Sequence, residues 1–223
     1  SVLHPSHPSS VVQIVSCDVS VSSDVTHLEH MCRDRLPIGS WMHASGVLND
    51  ALLAHHGVGS ARRTFAPKVE GALHLQSAIA ATPVNSVALF SSIAATLGSA
   101  GQADYSAANG MLDSICSTST CRGLPSVSLQ FGAWGSIGMA VERHVIQRRI
   151  ERNAMRMLSP SSTLMALRGV LLSPSHARVR DMSDVCIVNE FDWARYLRRQ
   201  QEKKPPAASV SYTHLRAHET DRY

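Results

Sequence analysis

The chain has few of the features that mark secreted, membrane-spanning or metal-binding proteins. Its five cysteines form no CxxC pair, which predicts the reduced side chains of an intracellular protein rather than disulfides or a zinc knuckle. No apolar run approaches the length of a membrane span, and residues 1–10 lack the charged and apolar regions of a signal peptide. We therefore expect a cytoplasmic protein that has no membrane partner.

Charge and histidine are too scattered to predict an electrostatic or a metal site. The net charge is only +4, and the densest basic segment, residues 143–156, is typical of a solvated helix face, so no nucleic-acid partner is expected. His27 with His30, and His55 with His56, have no acid or cysteine at ligand spacing, so we expect no metal. The hydrophobic content of 44% is that of an ordinary globular domain.

What the sequence does contain is a regular alternation of short apolar runs with helical segments. The predicted strands are residues 11–17, 37–44, 84–91, 126–131 and 184–189, and the predicted helices are residues 22–35, 51–56, 60–81, 104–118 and 163–172. Such alternation forms βαβ units, which assemble into a doubly wound parallel sheet of the Rossmann type. Ligands of these α/β sheets bind beyond the carboxyl ends of the strands.

The composition predicts one domain with two short flanks. Residues 1–10 are an N-terminal remnant, residues 11–204 form the domain, and residues 205–223 are expected to be a disordered tail whose sequence resembles a translated cloning adapter. No GxGxxG turn follows a predicted strand. The first strands of a Rossmann fold and its glycine-rich phosphate loop are therefore predicted to be missing.

One constellation of polar residues points to a reaction. Ser92 ends a predicted strand, Tyr105 opens a helix 13 residues later, and Asn109 follows 4 residues on, on the same helix face. Lys68 lies on the preceding helix, where its ammonium can lower the pKa of a phenol that is otherwise a sluggish acid. A serine hydroxyl can hold an oxygen on which negative charge develops. Together these residues can protonate a carbonyl oxygen while a hydride reaches its carbon.

The flanking motifs give the chain a resemblance to a known family. It resembles the ketoreductase domain of modular polyketide synthases, within the short-chain dehydrogenase/reductase superfamily, over residues 11–197. The motifs that carry the resemblance, in the family's order and spacing, are residues 17–20 (CDVS), 43–50 (HASGVLND), 65–72 (FAPKVEGA), 90–109, 131–135 (FGAWG) and 191–193 (FDW).

The resemblance implies a role for each member of the constellation. Tyr105 would be the general acid. Lys68 would lower the pKa of the Tyr105 phenol and contact the nicotinamide ribose. Ser92, rather than Ser91, would hold the substrate oxygen, because the 13-residue spacing to Tyr105 selects it. Asn109 would complete the tetrad and could hold a water that links Lys68 to solvent.

The resemblance also implies a cofactor and partners. NADPH would be the hydride donor, with Asp18 and Val19 flanking its adenine. Ala44, Ser45 and Gly46 would lie along the cofactor as backbone contacts. The substrate would be a β-ketoacyl chain carried by an acyl carrier protein, and other synthase domains would be neighbours.

Two positions bear on the configuration of the alcohol product. Residues 48–50 (Leu-Asn-Asp) resemble the Leu-Asp-Asp loop of B-type ketoreductases, although Asn49 departs from that pattern. Leu97 stands where A-type ketoreductases usually have tryptophan. We expect a B-type product, with a helix N-cap as an equally open interpretation of Asp50.

Two other functions stay open at this stage. The first is a non-catalytic fragment or remnant that keeps the tetrad but cannot bind the cofactor, because no glycine-rich phosphate loop is present. The second is a stand-alone short-chain dehydrogenase that acts on a free small molecule. Residues 131–134 (FGAW) and 191–193 (FDW) favour the synthase type over the stand-alone enzyme.

Overall fold

The computed structural model of the chain describes residues 12–33, 38–80, 82–135, 150, 154–172 and 184–202. Two sheets are present in this part of the chain. The main sheet has four parallel strands in the order β1-β2-β3-β5, and a small antiparallel sheet pairs β4 with β6. The strands are β1 (Ser40–His43), β2 (Ser86–Ser92), β3 (Ser126–Phe131), β4 (Met155–Arg156), β5 (Val185–Val188) and β6 (Glu190–Phe191).

Helices connect the parallel strands and cover the sheet, as βαβ units require. The described α-helices are α1 (Ser22–Arg33), α2 (Val58–Phe65), α3 (Gly71–Ile79), α4 (Ala94–Leu97), α5 (Ala103–Cys121), α6 (Pro160–Leu172) and α7 (Trp193–Glu202). A single 3₁₀ turn, Leu53–His55, precedes α2. None of the helices in the described segments is long and apolar enough to cross a membrane.

The core lies on both faces of the sheet because side chains alternate along each strand. On β2, Val87 and Leu89 pack with Leu112 and Cys116 of α5. Ala88, between them in sequence, packs instead with Leu129 of β3 and its apolar neighbours on the opposite face. Every residue of β3 is buried, as expected for a parallel strand covered on both sides.

A π-helical turn over Ala66–Glu70 joins α2 to α3 in one continuous helical stretch. Pro67 lies inside it, where a proline cannot donate a backbone hydrogen bond and would clash with the preceding turn of an α-helix. The wider π geometry lets the helix continue past this proline. Lys68, the next residue, is thereby placed inside the fold with only 3% of its surface exposed.

The predicted doubly wound parallel sheet is confirmed, but the predicted strand at residues 11–17 is wrong. Neither sheet of the described residues includes residues 12–17, and Ile14 is 91% exposed. An isolated apolar run is not enough for a strand, because a strand forms by hydrogen bonding to a neighbouring strand. The described part of the chain supplies no such neighbour for this segment.

Other boundaries shifted in smaller ways. The helix predicted at residues 51–56 is only the 3₁₀ turn, because the His56 and Ser60 side chains there bond to each other and His56 bonds to the Ala51 carbonyl. The basic segment at residues 143–156 ends in β4 rather than in a helix. Most of that segment, residues 1–10 and the tail at 205–223 lie outside the described residues.

Candidate active site

The side chains of Ser92 and Tyr105 meet beyond the carboxyl end of β2. Ser92 is the last residue of that strand, and Tyr105 lies in the first turn of α5. The Ser92 Oγ accepts a hydrogen bond of 3.2 Å from the backbone amide of Ala94, which begins α4. A serine hydroxyl that accepts one hydrogen bond still has its own hydrogen to donate. The Ser92 and Tyr105 side chains are hydrogen-bonded to each other.

The Tyr105 phenol is kept in its protonated form. Burial raises the pKa of Tyr105 because the phenolate would be poorly solvated. Hydrogen bonds with the Ser92 and Asn109 side chains oppose this shift, and the Asp50 carboxylate adds to it. At neutral pH the Tyr105 side chain is therefore a phenol that can donate a proton, and not a phenolate.

Lys68 lies beside the Tyr105 ring. Its ammonium donates a 3.0 Å hydrogen bond to the carbonyl of Phe90 in β2 and sits 5.5 Å from the Tyr105 ring centroid, within the range of a cation–π contact. Burial lowers the pKa of Lys68 from 10.5 to about 8, with the negative charge of Asp113 opposing the shift. The lysine is therefore a buried cation at neutral pH that can lose its proton in the mildly alkaline range.

Two glycines let the backbone approach this lysine and the segment around it. A Cβ atom added at Gly46 would lie 2.8 Å from the Lys68 Cε, and one at Gly71 would lie 2.9 Å from Val19 and 3.1 Å from His43. His43 in turn donates from Nε2 to the Lys68 carbonyl over 2.9 Å. Because burial lowers the pKa of His43, this ring is a neutral packed side chain.

Asn109 is fully buried one helical turn beyond Tyr105. Its Nδ2 donates to the Tyr105 backbone carbonyl over 2.7 Å, and the Asn109 backbone carbonyl accepts from the Ser91 hydroxyl over 3.2 Å. The Asn109 Oδ1 has no hydrogen-bond partner among the described residues. A buried amide oxygen in this position is an acceptor for a water or a ligand group.

The predicted cofactor residues flank the same region. Asp18 lies in the segment before α1, where its carboxylate accepts from the backbone amide and the hydroxyl of Ser20. Val19 packs against Gly71 at the start of α3, and its carbonyl accepts from His74 over 3.0 Å. Residues 44–46 follow β1 directly and lead to the Gly46 contact with Lys68. Val19 and Gly46 therefore border one helical stretch, residues 66–74.

The two residues that bear on the configuration of the product, Asp50 and Leu97, lie in the segment after β1 and at the end of α4. Asp50 accepts from Gln102 Nε2 at 2.9 and 3.1 Å, and its charge acts on the Tyr105 phenol. The helix N-cap interpretation of Asp50 is wrong, since Leu52 is the residue that precedes the 3₁₀ turn. Leu97 ends α4 and is 36% exposed.

Sequence reasoning missed several polar residues around the site. Asp113 accepts from Ser128 over 2.6 Å and from Gln130 over 2.8 Å, so it is held near the sheet, where its charge acts on Lys68. Asp104 and His56 form a buried pair whose Nδ1–Oδ2 distance is 3.3 Å. Only the position of Asp104 immediately before Tyr105 could have drawn attention to it. No cluster of three potential metal-ligating side chains is found among the described residues.

The lowered pKa of Lys68 makes protein stability depend on pH in a defined direction. Between about 8 and 10.5 the native lysine is neutral while the unfolded one still binds a proton, so stability rises with pH in this window. Lys68→Met should therefore be more stable than wild type at pH 7, by up to about 3 kcal/mol. The difference in the free energy of unfolding between the two proteins should become smaller as the pH approaches 10.5. Urea unfolding of both proteins across this range measures it, and a pH-independent gap would contradict the buried cation.

Comparison with known proteins supports one family. The chain matches the family model of the KR domain over residues 5–136. It is 33% identical over 185 residues to polyketide synthase GfsA of Streptomyces halstedii, covering 83% of this chain and 2% of that protein. It is 43% identical over 103 residues to phthioceranic/hydroxyphthioceranic acid synthase of Mycobacterium tuberculosis, covering 46% of this chain and 5% of the synthase. The chain thus spans only a small part of the curated relatives it matches.

Solved structures agree with this result. An A-type ketoreductase from a modular polyketide synthase superposes with a TM-score of 0.76 at 27% identity, covering 86% of this chain and 39% of that one. The ketoreductase from the first module of phoslactomycin biosynthesis in Streptomyces sp. HK803 gives 0.75 at 28% identity, covering 86% and 43%. With its parallel Rossmann-like sheet, the chain belongs to the KR-domain family, the ketoreductase domains of polyketide synthases.

Proposed function

We propose that this chain carries the acid–base centre of an NADPH-dependent β-ketoacyl reductase. The observation that supports the proposal most strongly is the buried Lys68 ammonium 5.5 Å from the ring of a protonated Tyr105, which is hydrogen-bonded to Ser92. The substrate in this proposal is a β-ketoacyl thioester carried by an acyl carrier protein. A cytoplasmic location and neighbouring synthase domains are parts of the same proposal.

The residues divide the work of reducing a ketone. When bound, NADPH supplies the hydride that attacks the β-carbon. Ser92 donates a hydrogen bond to the ketone oxygen, and this bond strengthens as negative charge develops on that oxygen. Tyr105 transfers its phenol proton to the same oxygen, so the carbonyl becomes a hydroxyl group and Tyr105 becomes a phenolate.

Lys68 makes this proton transfer easier without being the proton donor itself. Its cation lies over the Tyr105 ring and stabilises the phenolate that forms during the reaction. The unpartnered Oδ1 of Asn109 is suited to hold a water through which the phenolate regains a proton from solvent. Below a pH of about 8, both the cationic lysine and the protonated tyrosine that the mechanism needs are present.

The residues that are present fit the nicotinamide side of the cofactor. The backbone of Gly46 contacts the Lys68 side chain at a distance that a Cβ atom would not allow. The Lys68 amine and the Gly46 backbone are therefore neighbours. Lys68 and Tyr105 would hold the nicotinamide ribose, residues 44–46 would lie along the cofactor, and Asp18 and Val19 would flank the adenine. For the cofactor's phosphates, this sequence contains no glycine-rich strand–turn–helix segment that could bind them.

The configuration of the product remains a B-type proposal. It depends on residues 48–50 and on Leu97 in the place of a tryptophan. The similar solved structures include an A-type ketoreductase, so the shared fold alone does not choose between the two configurations. The non-catalytic alternative depends on one observation, the absence of a phosphate loop from this sequence.

Replacing the proposed acid should abolish reduction. In the synthase polypeptide that we propose carries this chain, Tyr105→Phe should lower kcat for a β-ketoacyl thioester by about 10²–10⁴-fold, because a phenyl ring has no proton to donate. Tyr196→Phe makes the same change in α7 within an aromatic cluster away from the site, and should leave kcat unchanged. Retained reduction in Tyr105→Phe would overturn the proposed role.

The 223-residue chain by itself should bind NADPH weakly, with a Kd above the micromolar range. Fluorescence titration of NADPH with the purified chain measures this affinity, because the contacts to the nicotinamide side are present and those to the phosphates are not. A Lys68→Met variant serves as the control for specific binding. Micromolar binding by the wild-type chain would contradict this prediction and would also remove the main argument for the non-catalytic alternative.

A further inference from the structure

A buried cluster of polar side chains, Asp104, Thr64 and His56, adjoins the backbone of Tyr105, the proposed acid. Asp104 is 7% exposed and directly precedes Tyr105. Its Oδ1 accepts the Tyr105 backbone N–H over 2.8 Å, and its Oδ2 accepts from the Thr64 hydroxyl of α2 over 3.1 Å. The same Oδ2 lies 3.3 Å from the Nδ1 of His56. Asp104 is therefore held by groups from two other segments while it fixes the backbone of Tyr105.

His56 links this carboxylate to the segment at residues 49–51. Its Nε2 donates to the Ala51 carbonyl over 3.0 Å, and its Nδ1 also lies 3.0 Å from the Ser60 hydroxyl. The Ser60 hydroxyl in turn accepts a hydrogen bond from the side-chain Nδ2 of Asn49. Only 7% of the His56 side chain is exposed, so removing it would leave buried partners unsatisfied, which is expensive in free energy.

The segment that His56 holds forms one side of the proposed site. The Ala51 amide donates to the Gly101 carbonyl over 2.9 Å, and the Asp50 carboxylate accepts from Gln102. Both of these contacts lie just before α5, at the same end as Tyr105. The Asp50 charge also acts on the Tyr105 phenol. Residues 49–51 are therefore attached to the chain directly before the helix that carries Tyr105.

We propose that His56, acting through Asp104, is a positioning residue that fixes the Asp50 segment against Tyr105 and so controls how a substrate ketone is presented to that phenol. The structural half of this proposal concerns the chain itself. The half that concerns reduction rests on the proposed function. The neighbouring His55 is exposed and carries none of these bonds in the described residues, so it offers a matched control.

Hydrogen exchange on the 223-residue chain tests the structural half. In His56→Ala the amides of Ala51 and Tyr105 should exchange about tenfold faster or more, because both depend on the cluster. Exchange in β2 and β3, and all exchange in His55→Ala, should stay at wild-type rates. Unchanged exchange at both amides, or an equal acceleration throughout the sheet, would overturn the positioning role.

Product analysis in the synthase polypeptide tests the other half. His56→Ala should lower kcat for the β-ketoacyl thioester and change the ratio of the two hydroxyl configurations, with the KM for NADPH unchanged. His56→Gln, which keeps a hydrogen-bonding side chain at this position, should restore part of both. A wild-type product ratio and kcat in His56→Ala would overturn the inference. Absence of reduction by the wild-type protein would instead overturn the proposed function, and the exchange result would still decide whether His56 anchors the segment.

Discussion

The arrangement of the site depends on one constraint, the enclosure of a lysine ammonium inside the domain. Burying a cation is unfavourable unless hydrogen bonds and nearby charge compensate it. Lys68 gains a hydrogen bond to the Phe90 carbonyl, the face of the Tyr105 ring and the distant negative charge of Asp113. Those three partners come from β2 and α5, so satisfying the lysine also fixes the end of β2 against the start of α5.

Several local features of the sequence serve this one requirement. The π-helical turn that accommodates Pro67 places Lys68 on the inner side of its helix. Gly46 has no side chain because the Lys68 side chain occupies the space that a Cβ would need. His43 supports the lysine backbone from the end of β1. Pro67, Gly46 and His43, which come from two separate segments of the chain, thus have one common physical explanation.

The sequence predicted the sheet well where apolar runs had neighbouring strands to pair with. The strands β2 and β3 and helix α5 lie within a few residues of their predicted bounds, and the four members of the proposed tetrad lie at the carboxyl end of β2 or in the helices that pack there. The segment at residues 12–17 looked like a strand because it is β-branched, but strand formation depends on a partner and not on composition. Local patterns cannot supply that information.

The polar cluster behind Tyr105 was beyond sequence reasoning for a related reason. His56 and Asp104 are 48 residues apart, and nothing in the spacing of single residues indicates that they meet. In the sequence, the neighbouring His55 and His56 suggest only a metal site. The contact between His56 and Asp104 depends on how the 3₁₀ turn and α2 pack against α5, which local spacing does not encode.

The most direct test of the account is a measurement of the Lys68 charge. The chain has three lysines, Lys68, Lys203 and Lys204, so NMR of ¹³Cε-labelled lysine would give few signals, and the one lost in Lys68→Met identifies the residue. We predict that this signal titrates with a pKa of about 8 in the folded chain. A pKa near 10.5, the value of a solvated lysine, would contradict the enclosed cation on which the proposed proton transfer depends.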